Sequence, residues 1–264
     1  MNLCNFRFFD LENKTLLITG TTKGIGKAAL PILLEQGLNL ISVSDDRELM
    51  EEIRAELGVD EPRLRLYQCN LAVPAEVEKV ADEIAASDYP LDAIWHNAAM
   101  GKRQAFESIE TDSWQEMLQV NVLSAAALTR QLLPKLKASK QGRILFTSSV
   151  LFELGSSHRV SYVSSKGAVE GLMRSLAHEL KHSGITVNCL APGAILTRQA
   201  SDPSPESLKV LSWQSVGRRL HSADMLGPVC LLLSAAGGGI SGQIWKIDGG
   251  LIHPLADPRQ QKLL

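Results

Sequence analysis

Tyr162 and Lys166 stand four residues apart, a spacing that on a helix stacks two side chains on one face, about one turn apart. A phenol that titrates near pH ~10 in water is too weak an acid for neutral chemistry, and a neighbouring ammonium favours its phenolate. Ser149 adds a hydroxyl upstream, where a strand is expected to end. The chemistry open to this set is proton transfer to or from an oxygen atom. A tyrosine and a lysine at helical spacing are more often one packed and one solvated residue, so the elements that position them must decide.

Those elements follow a regular order. Short β-branched or leucine-rich runs read as strands at Lys14 to Thr19, Leu38 to Val43, Arg63 to Cys69, Leu91 to His96, Arg143 to Ser148, Thr186 to Leu190 and Gln243 to Ile247. Amphipathic stretches between them read as helices: from about Gly24, Asp46 to Leu57, Pro74 to Ala86, a long one at Thr111 to Leu136, Ser161 to His182 and Ser222 to Ser234. The alternation predicts an α/β fold: one doubly wound, Rossmann-type domain over residues 1–264, with a mainly parallel sheet of about seven strands and helices on both faces. Residues 1–12 read as an N-terminal extension, 192–214 as a polar substrate-loop segment and 251–264 as a C-terminal tail. In such sheets ligands gather beyond the carboxyl ends of the strands. Gly20, Ser44, Asn70, Asn97, Ser149 and Pro192 all fall just there.

The first strand runs into Gly20-Thr21-Thr22-Lys23-Gly24-Ile25-Gly26. A glycine-rich strand-to-helix turn lets backbone N–H groups approach a phosphate, or simply makes a tight connection. Bulk properties narrow the class further. Hydrophobic residues make up 45% and charged residues 21% of the 264, with a net charge of -2. That balance suits an ordinary globular protein and gives no general attraction for nucleic acid or an anionic membrane. Cys4, Cys69, Cys189 and Cys230 form no CxxC pair and read as reduced thiols. No apolar run approaches a membrane span, and the N-terminus carries acidic residues where a signal peptide would be apolar, so a cytoplasmic location is expected.

Taken in order, TGTTKGIG at Thr19 to Gly26, HNAA at His96 to Ala99, Val120-Asn121, Ser149, YVSSK at Tyr162 to Lys166, PGAILT at Pro192 to Thr197 and IDGG at Ile247 to Gly250 resemble the short-chain dehydrogenase/reductases of the classical subtype. The resemblance spans Lys14 to Gly250. It implies an NAD(P)-dependent oxidoreductase that moves hydride between nicotinamide and a carbonyl or secondary alcohol. Tyr162 would be the general acid/base, Lys166 would hold the nicotinamide ribose, Ser149 would bond the substrate oxygen, and Asn121 would hold a relay water. Gly20, Thr22, Lys23, Gly24, Ile25, Gly26, Ser44, Asn70, Leu71, Asn97, Ala98, Pro192, Gly193, Ile195 and Thr197 would bind the cofactor together with Tyr162 and Lys166.

Two departures stand out. The family usually reads NNAG where this chain has His96 to Ala99, which predicts strain at Ala99 if a glycine-only conformation is required. Ser44 stands where many NAD-preferring members carry an acid, so NADP(H) is favoured over NAD(H), with Lys23 and Arg47 as phosphate ligands opposed by Asp45 and Asp46. The general look is closest to 3-oxoacyl-thioester reductases, with sugar, steroid or polyol dehydrogenases as alternatives and a non-catalytic dinucleotide-binding sensor as a rival from another class. Substrate contacts would come from the Met100 to Ala105 loop, the stretch after Ser149 and residues 192–214, where Leu151, Phe152, Leu154 and Trp213 are apolar and Lys102, Arg103, Glu153, His158 and Arg159 are charged. Most of these charges read as solvated rim residues; the sharper alternative has Arg159 or Arg103 meeting an acidic substrate group. Lys135, Lys137 and Lys140 are candidates for meeting a carrier protein, and a homodimer or homotetramer is expected from the family.

Overall fold

The run Thr15–Thr19 forms β1 and is buried at every position, as a strand covered on both faces must be. A computed structural model of the chain describes residues 7–196 and 214–251. After β1 come α1 (Gly24–Glu35), β2 (Asn39–Ser44), α2 (Arg47–Leu57), β3 (Leu64–Gln68), α3 (Pro74–Ala86) and β4 (Ala93–His96). Local chemistry sets the boundaries. Asp46 caps α2 by accepting from the Leu49 N–H, and Gly58 ends it in the left-handed region at φ 62°. Pro74 opens α3, where its missing N–H costs nothing.

The second half supplies α4 (Thr111–Leu118), α5 (Ser124–Ala138), β5 (Arg143–Thr147), the single turn α6 (Leu151–Leu154), α7 (Val160–Glu179) and β6 (Thr186–Pro192). A two-residue pair, β7 (Ile195–Leu196) with β8 (Leu220–His221), precedes α8 (Leu226–Leu233) and β9 (Ile244–Ile247). Seven parallel strands run in the order β3-β2-β1-β4-β5-β6-β9. Chain order reverses beside β1, which pairs with both β2 and β4, so a crevice opens at the carboxyl ends there. One core layer joins Leu16 and Ile18 to Leu30, Leu33, Leu226 and Val229. The other joins Leu17 to Val77, Val80, Leu128, Leu132 and Met173.

Three expectations need correcting. The long helix expected over Thr111 to Leu136 is interrupted at Gln119–Leu123 by a π turn. The helix expected at Ser222 to Ser234 begins as a 3-10 turn, Ser222–Met225, before α8. The end of the 1–12 extension is docked: Leu11 is buried, and the Asp10 carboxylate accepts from the Ala235 N–H at 2.6 Å. Thr197, Trp213 and most of both the 192–214 segment and the 251–264 tail lie outside the described residues. Among the described residues no helix is long and apolar enough to cross a membrane.

His96 closes β4 and shows what a substituted family position does here. It pairs with Phe146 across the β4–β5 ladder, stacks on that ring at 4.9 Å, and shares a 2.8 Å hydrogen bond with the Thr129 hydroxyl through Nε2. Burial pushes its pKa down to about 3 from 6.5. Between those values the unfolded chain takes up a proton that the folded chain refuses, so stability falls as pH is lowered through that window. The slope from this one group is at most about 1.4 kcal/mol per pH unit. Urea unfolding at about pH 7 and about pH 5 should therefore show a smaller acid loss in His96→Asn than in the unsubstituted protein; equal losses would contradict a neutral buried imidazole.

Candidate active site

One face of α7 carries Tyr162, Lys166 and Glu170 at successive four-residue steps, and all three reach the residues that end β5. Tyr162 lies near Ser149, whose hydroxyl acts to lower the pKa of the phenol. Lys166 donates from Nζ to the Thr147 carbonyl at 2.7 Å, and Glu170 accepts from the Ser148 hydroxyl at 2.7 Å. Arg174, one turn further, lies 3.5 Å from the other Glu170 oxygen. From the sheet side, Trp95 donates to the Thr147 hydroxyl at 2.9 Å and Ser148 N–H donates to the Leu190 carbonyl at 2.7 Å. Thr147 and Ser148 are thus fixed from both directions, immediately before Ser149.

Burial dominates the electrostatics. It pushes the Lys166 ammonium down to about 8, with the neighbouring Cys189 opposing the shift. Burial also raises the Tyr162 phenol above its ordinary value, against the Ser149 hydrogen bond and the charge of Arg159. The net shift is upward, where the sequence reading expected Lys166 to depress the phenol. Two cations lie near the ring, the Lys166 ammonium 5.6 Å from its centroid and bonded to the Thr147 carbonyl, and the Arg159 guanidinium at 6.0 Å, whose charge favours the phenolate against the larger effect of burial.

Asn121 sits inside the π turn and is buried. Its amide accepts from the Met100 N–H at 2.7 Å and donates to the Met100 carbonyl at 3.0 Å and the Ser165 hydroxyl at 2.9 Å. Ser165 neighbours Lys166, so Asn121 ties the bent helix, the loop after β4 and α7 together. π turns occur mostly where a side chain must be re-aimed for function.

The glycines of the turn, a candidate phosphate seat, are required by close packing of the backbone. A Cβ on Gly20, which sits at φ +72°, would lie 2.8 Å from Ala98 Cα, and one on Gly26 would lie 2.1 Å from the Gly20 carbonyl oxygen. Only bare backbone packs this closely, and Gly24 adds a positive φ of 59°. Thr22 and Ser44 bond to each other at 3.0 Å beneath the turn, and Ile25 packs into the core. Asn97 acts as a brace, its amide donating to the Thr19 and Gly20 carbonyls at 3.1 and 3.2 Å, while Ala98 N–H bonds the Thr19 hydroxyl. Leu71 is buried beside Ala98, and Asn70 accepts from the Ala72 N–H at 3.0 Å, leaving its amide nitrogen on the crevice rim. Pro192 ends β6, and a Cβ on Gly193 would sit 2.7 Å from Asp248 Cα, which explains why the closing IDGG lies at this site. Ile195 packs into the core beside it.

The structure alters several charge assignments. Ala99 is absent from the positive-φ residues, so replacing glycine there brings no strain. Arg47 is committed to the Leu66 carbonyl at 2.6 Å and to Glu51, which removes it as a free phosphate ligand; Lys23 stays exposed. Lys135 donates to the Ser87 and Tyr89 carbonyls, both at 2.7 Å, so it ties α5 to the end of α3 rather than facing a partner. Glu170 is the residue sequence reasoning missed. Its signal was the continued four-residue spacing after Tyr162 and Lys166, beside the buried Val169 and Met173. Replacing it by Ala leaves the Ser148 hydroxyl without its acceptor in the interior, so Glu170→Ala should cost about 1–3 kcal/mol. Arg174→Ala, which removes only a half-exposed partner, should cost less than about 1 kcal/mol. Chemical denaturation of both variants measures the difference; equal costs would show that the carboxylate serves the surface pair and not Ser148.

Comparison with known proteins agrees with this geometry. Residues 14–207 match the short chain dehydrogenase family. The chain is 33% identical over 244 residues to the uncharacterized oxidoreductase YmfI of Bacillus subtilis, covering 90% of this chain and 98% of that protein. It is 28% identical to the 3-oxoacyl-acyl-carrier-protein reductase FabG of Salmonella typhimurium, covering 92% and 98%. A chain from Beutenbergia cavernae, provisionally assigned as an NAD(P)-dependent gluconate 5-dehydrogenase and solved with NADP bound at low occupancy, superimposes with a TM-score of 0.85 at 30% identity, covering 92% of this chain and 98% of that one. A family match over most of the chain and a relative 33% identical over nearly the whole of both chains agree with the seven-stranded parallel sheet, and the chain belongs to the short-chain dehydrogenase/reductase family of oxidoreductases.

Proposed function

We propose that the chain interconverts a ketone and a secondary alcohol with NADP(H) or NAD(H), using Tyr162 as general acid in reduction and general base in oxidation. The observation that carries this reading is the grip of α7 on the end of β5: Lys166, buried, donates to the Thr147 carbonyl, and Tyr162 lies one turn before it on the same face, where Ser149 acts on its phenol. The bound nicotinamide supplies or accepts the hydride at the carbonyl carbon. In reduction the phenol gives its proton to the carbonyl oxygen while the Ser149 hydroxyl stabilises the charge developing there. Burial keeps the phenol protonated, which suits the acid role. Lys166, brought down to about 8, is poised to return a proton to the phenolate at neutral pH. The Asn121 amide is committed to Met100 and Ser165, so its part is to fix the bend, and a relay water there would be held by main-chain atoms.

NADP(H) remains the favoured cofactor on this reading, now on the strength of Ser44 and Lys23 without Arg47. For the substrate, similarity to FabG supports a 3-oxoacyl thioester, while the engagement of Lys135 weakens the carrier-linked form of that reading. A homo-oligomer in the cytoplasm completes the proposal; exposed Phe106 and Leu123 next to α4 and α5 provide apolar surface for a second copy.

Tyr162→Phe removes the proton without removing the ring, so nicotinamide-dependent turnover should drop by about 100-fold or more while NADPH binding stays within about twofold. Wild-type rates in that variant would eliminate Tyr162 as the acid. Lys23→Ala should raise KM for NADPH by about fivefold or more and leave KM for NADH nearly unchanged. Parallel changes for the two cofactors would assign Lys23 to the shared pyrophosphate instead.

A further inference from the structure

Five charged side chains frame the entrance beside Tyr162, and four of them differ from the fifth. Lys102 pairs with Glu116 at 2.6 Å, and Glu153 pairs with Lys246. His158 is exposed, with Nδ1 at 3.0 Å from the Ser157 hydroxyl, and Arg103 points into solvent. Arg159 is half-buried, its guanidinium lies against the Tyr162 ring, and no carboxylate among the described residues pairs with it.

The backbone around Arg159 is held in place. His158, immediately before it, adopts φ 59°, a left-handed conformation that a non-glycine residue takes up only when its surroundings hold it there. The turn that contains it is tied to the facing loop by the Gln104 N–H, which donates to the His158 carbonyl at 2.8 Å. That loop is anchored at its other end, where Asn121 holds both polar groups of Met100. Between the anchors lies Gly101. A side chain there would start 3.4 Å from the Tyr162 ring and 3.9 Å from the Arg159 guanidinium. Glycine keeps open the space that the phenol and the guanidinium share.

We propose that Arg159 selects substrates that carry a carboxylate on the same small molecule as the reacting carbonyl, binding that carboxylate beside Tyr162. This rests on the carbonyl-reductase reading of the site. A guanidinium presents paired N–H donors that match a carboxylate in bidentate geometry. Partial burial without an acidic partner costs solvation that a substrate carboxylate offsets on arrival. The bound carboxylate also has an electrostatic consequence for the chemistry. Arg159 on its own draws the phenol towards its ionised form. Neutralising that cation removes a pull towards the phenolate, so the phenol's proton is held more firmly while an acidic substrate is in place.

The test uses matched substrates: acetoacetate with methyl acetoacetate, and 5-keto-gluconate with its amide, each with NADPH, plus the thioester acetoacetyl-N-acetylcysteamine. The unsubstituted enzyme should favour the acid in at least one pair by tenfold or more in kcat/KM, mainly through KM. Arg159→Gln should bring that acid-to-neutral ratio close to one, and Arg159→Lys should recover part of it. The high-pH limb of kcat should lie at higher pH for the acid than for its neutral partner, and the two limbs should coincide in Arg159→Gln. A preference for the neutral ester or thioester, or a ratio unmoved by Arg159→Gln, would overturn the proposal. Calorimetric titration of 5-keto-gluconate into the NADP+ complex reads binding apart from turnover: a tenfold or greater loss of affinity in Arg159→Gln supports it, and equal or absent binding in both proteins overturns it. Loss of turnover on every carbonyl compound with that affinity difference intact would instead count against the carbonyl-reductase reading alone.

Discussion

Everything at this site depends on one contact, the grip of α7 on the three residues that end β5. Helical periodicity returns Tyr162, Lys166 and Glu170 to nearly the same face. A continuing strand would alternate its side chains and present only every second one to that face. The strand stops at Thr147, so Ser148 and Ser149 are released from alternation. Lys166 then takes a backbone carbonyl and Glu170 the Ser148 hydroxyl, while the next hydroxyl, that of Ser149, acts on the Tyr162 phenol. The register of helix against strand end, more than any single residue type, is what brings a phenol and a hydroxyl onto one point.

That arrangement places a lysine and a glutamate in the interior, each 2% exposed. Burying two charges is costly unless each finds polar partners. Lys166 has the Thr147 carbonyl, and Glu170 has a hydroxyl on one oxygen and a guanidinium on the other. The remaining cost appears as the displaced titration of Lys166, down to about 8. A solvated lysine in the same position would hold its proton too firmly to return it near neutrality. The solvation penalty and the proposed proton transfer are therefore two aspects of the same burial.

The fold was legible in the sequence because its signals are local and repeated: short apolar strands alternating with amphipathic helices, and a glycine-rich turn where the first strand gives way to a helix. Spacing singled out Tyr162 and Lys166 and a strand end singled out Ser149, but only the family resemblance joined the three as a candidate set. What sequence did not reveal depends on contacts across the fold. The π turn exists with Asn121 bound to Met100, a residue 21 positions away, which no helical pattern contains. Arg47 and Lys135 looked available because their partners, the Leu66, Ser87 and Tyr89 carbonyls, are backbone atoms that sequence does not advertise. Burial, which raises the Tyr162 phenol against the charge of Arg159, is likewise a property of the assembled fold that residue spacing does not carry.

His96 and Ala99, the two positions that depart from the family pattern, divide structure from chemistry. An imidazole able to gain a proton near pH 7 beside a catalytic crevice would compete with Tyr162 and Lys166 for the proton in transit. Here the ring is stacked on Phe146 and bonded to Thr129 of α5, with its pKa lowered to about 3. It remains neutral through the whole range in which Lys166 titrates, and it joins the sheet to α5 where an asparagine could offer no stacking surface. Ala99 adopts no left-handed conformation, so the chain leaves the strand without needing glycine. Both substitutions change packing behind the crevice, and proton exchange near neutrality remains with the pair on α7.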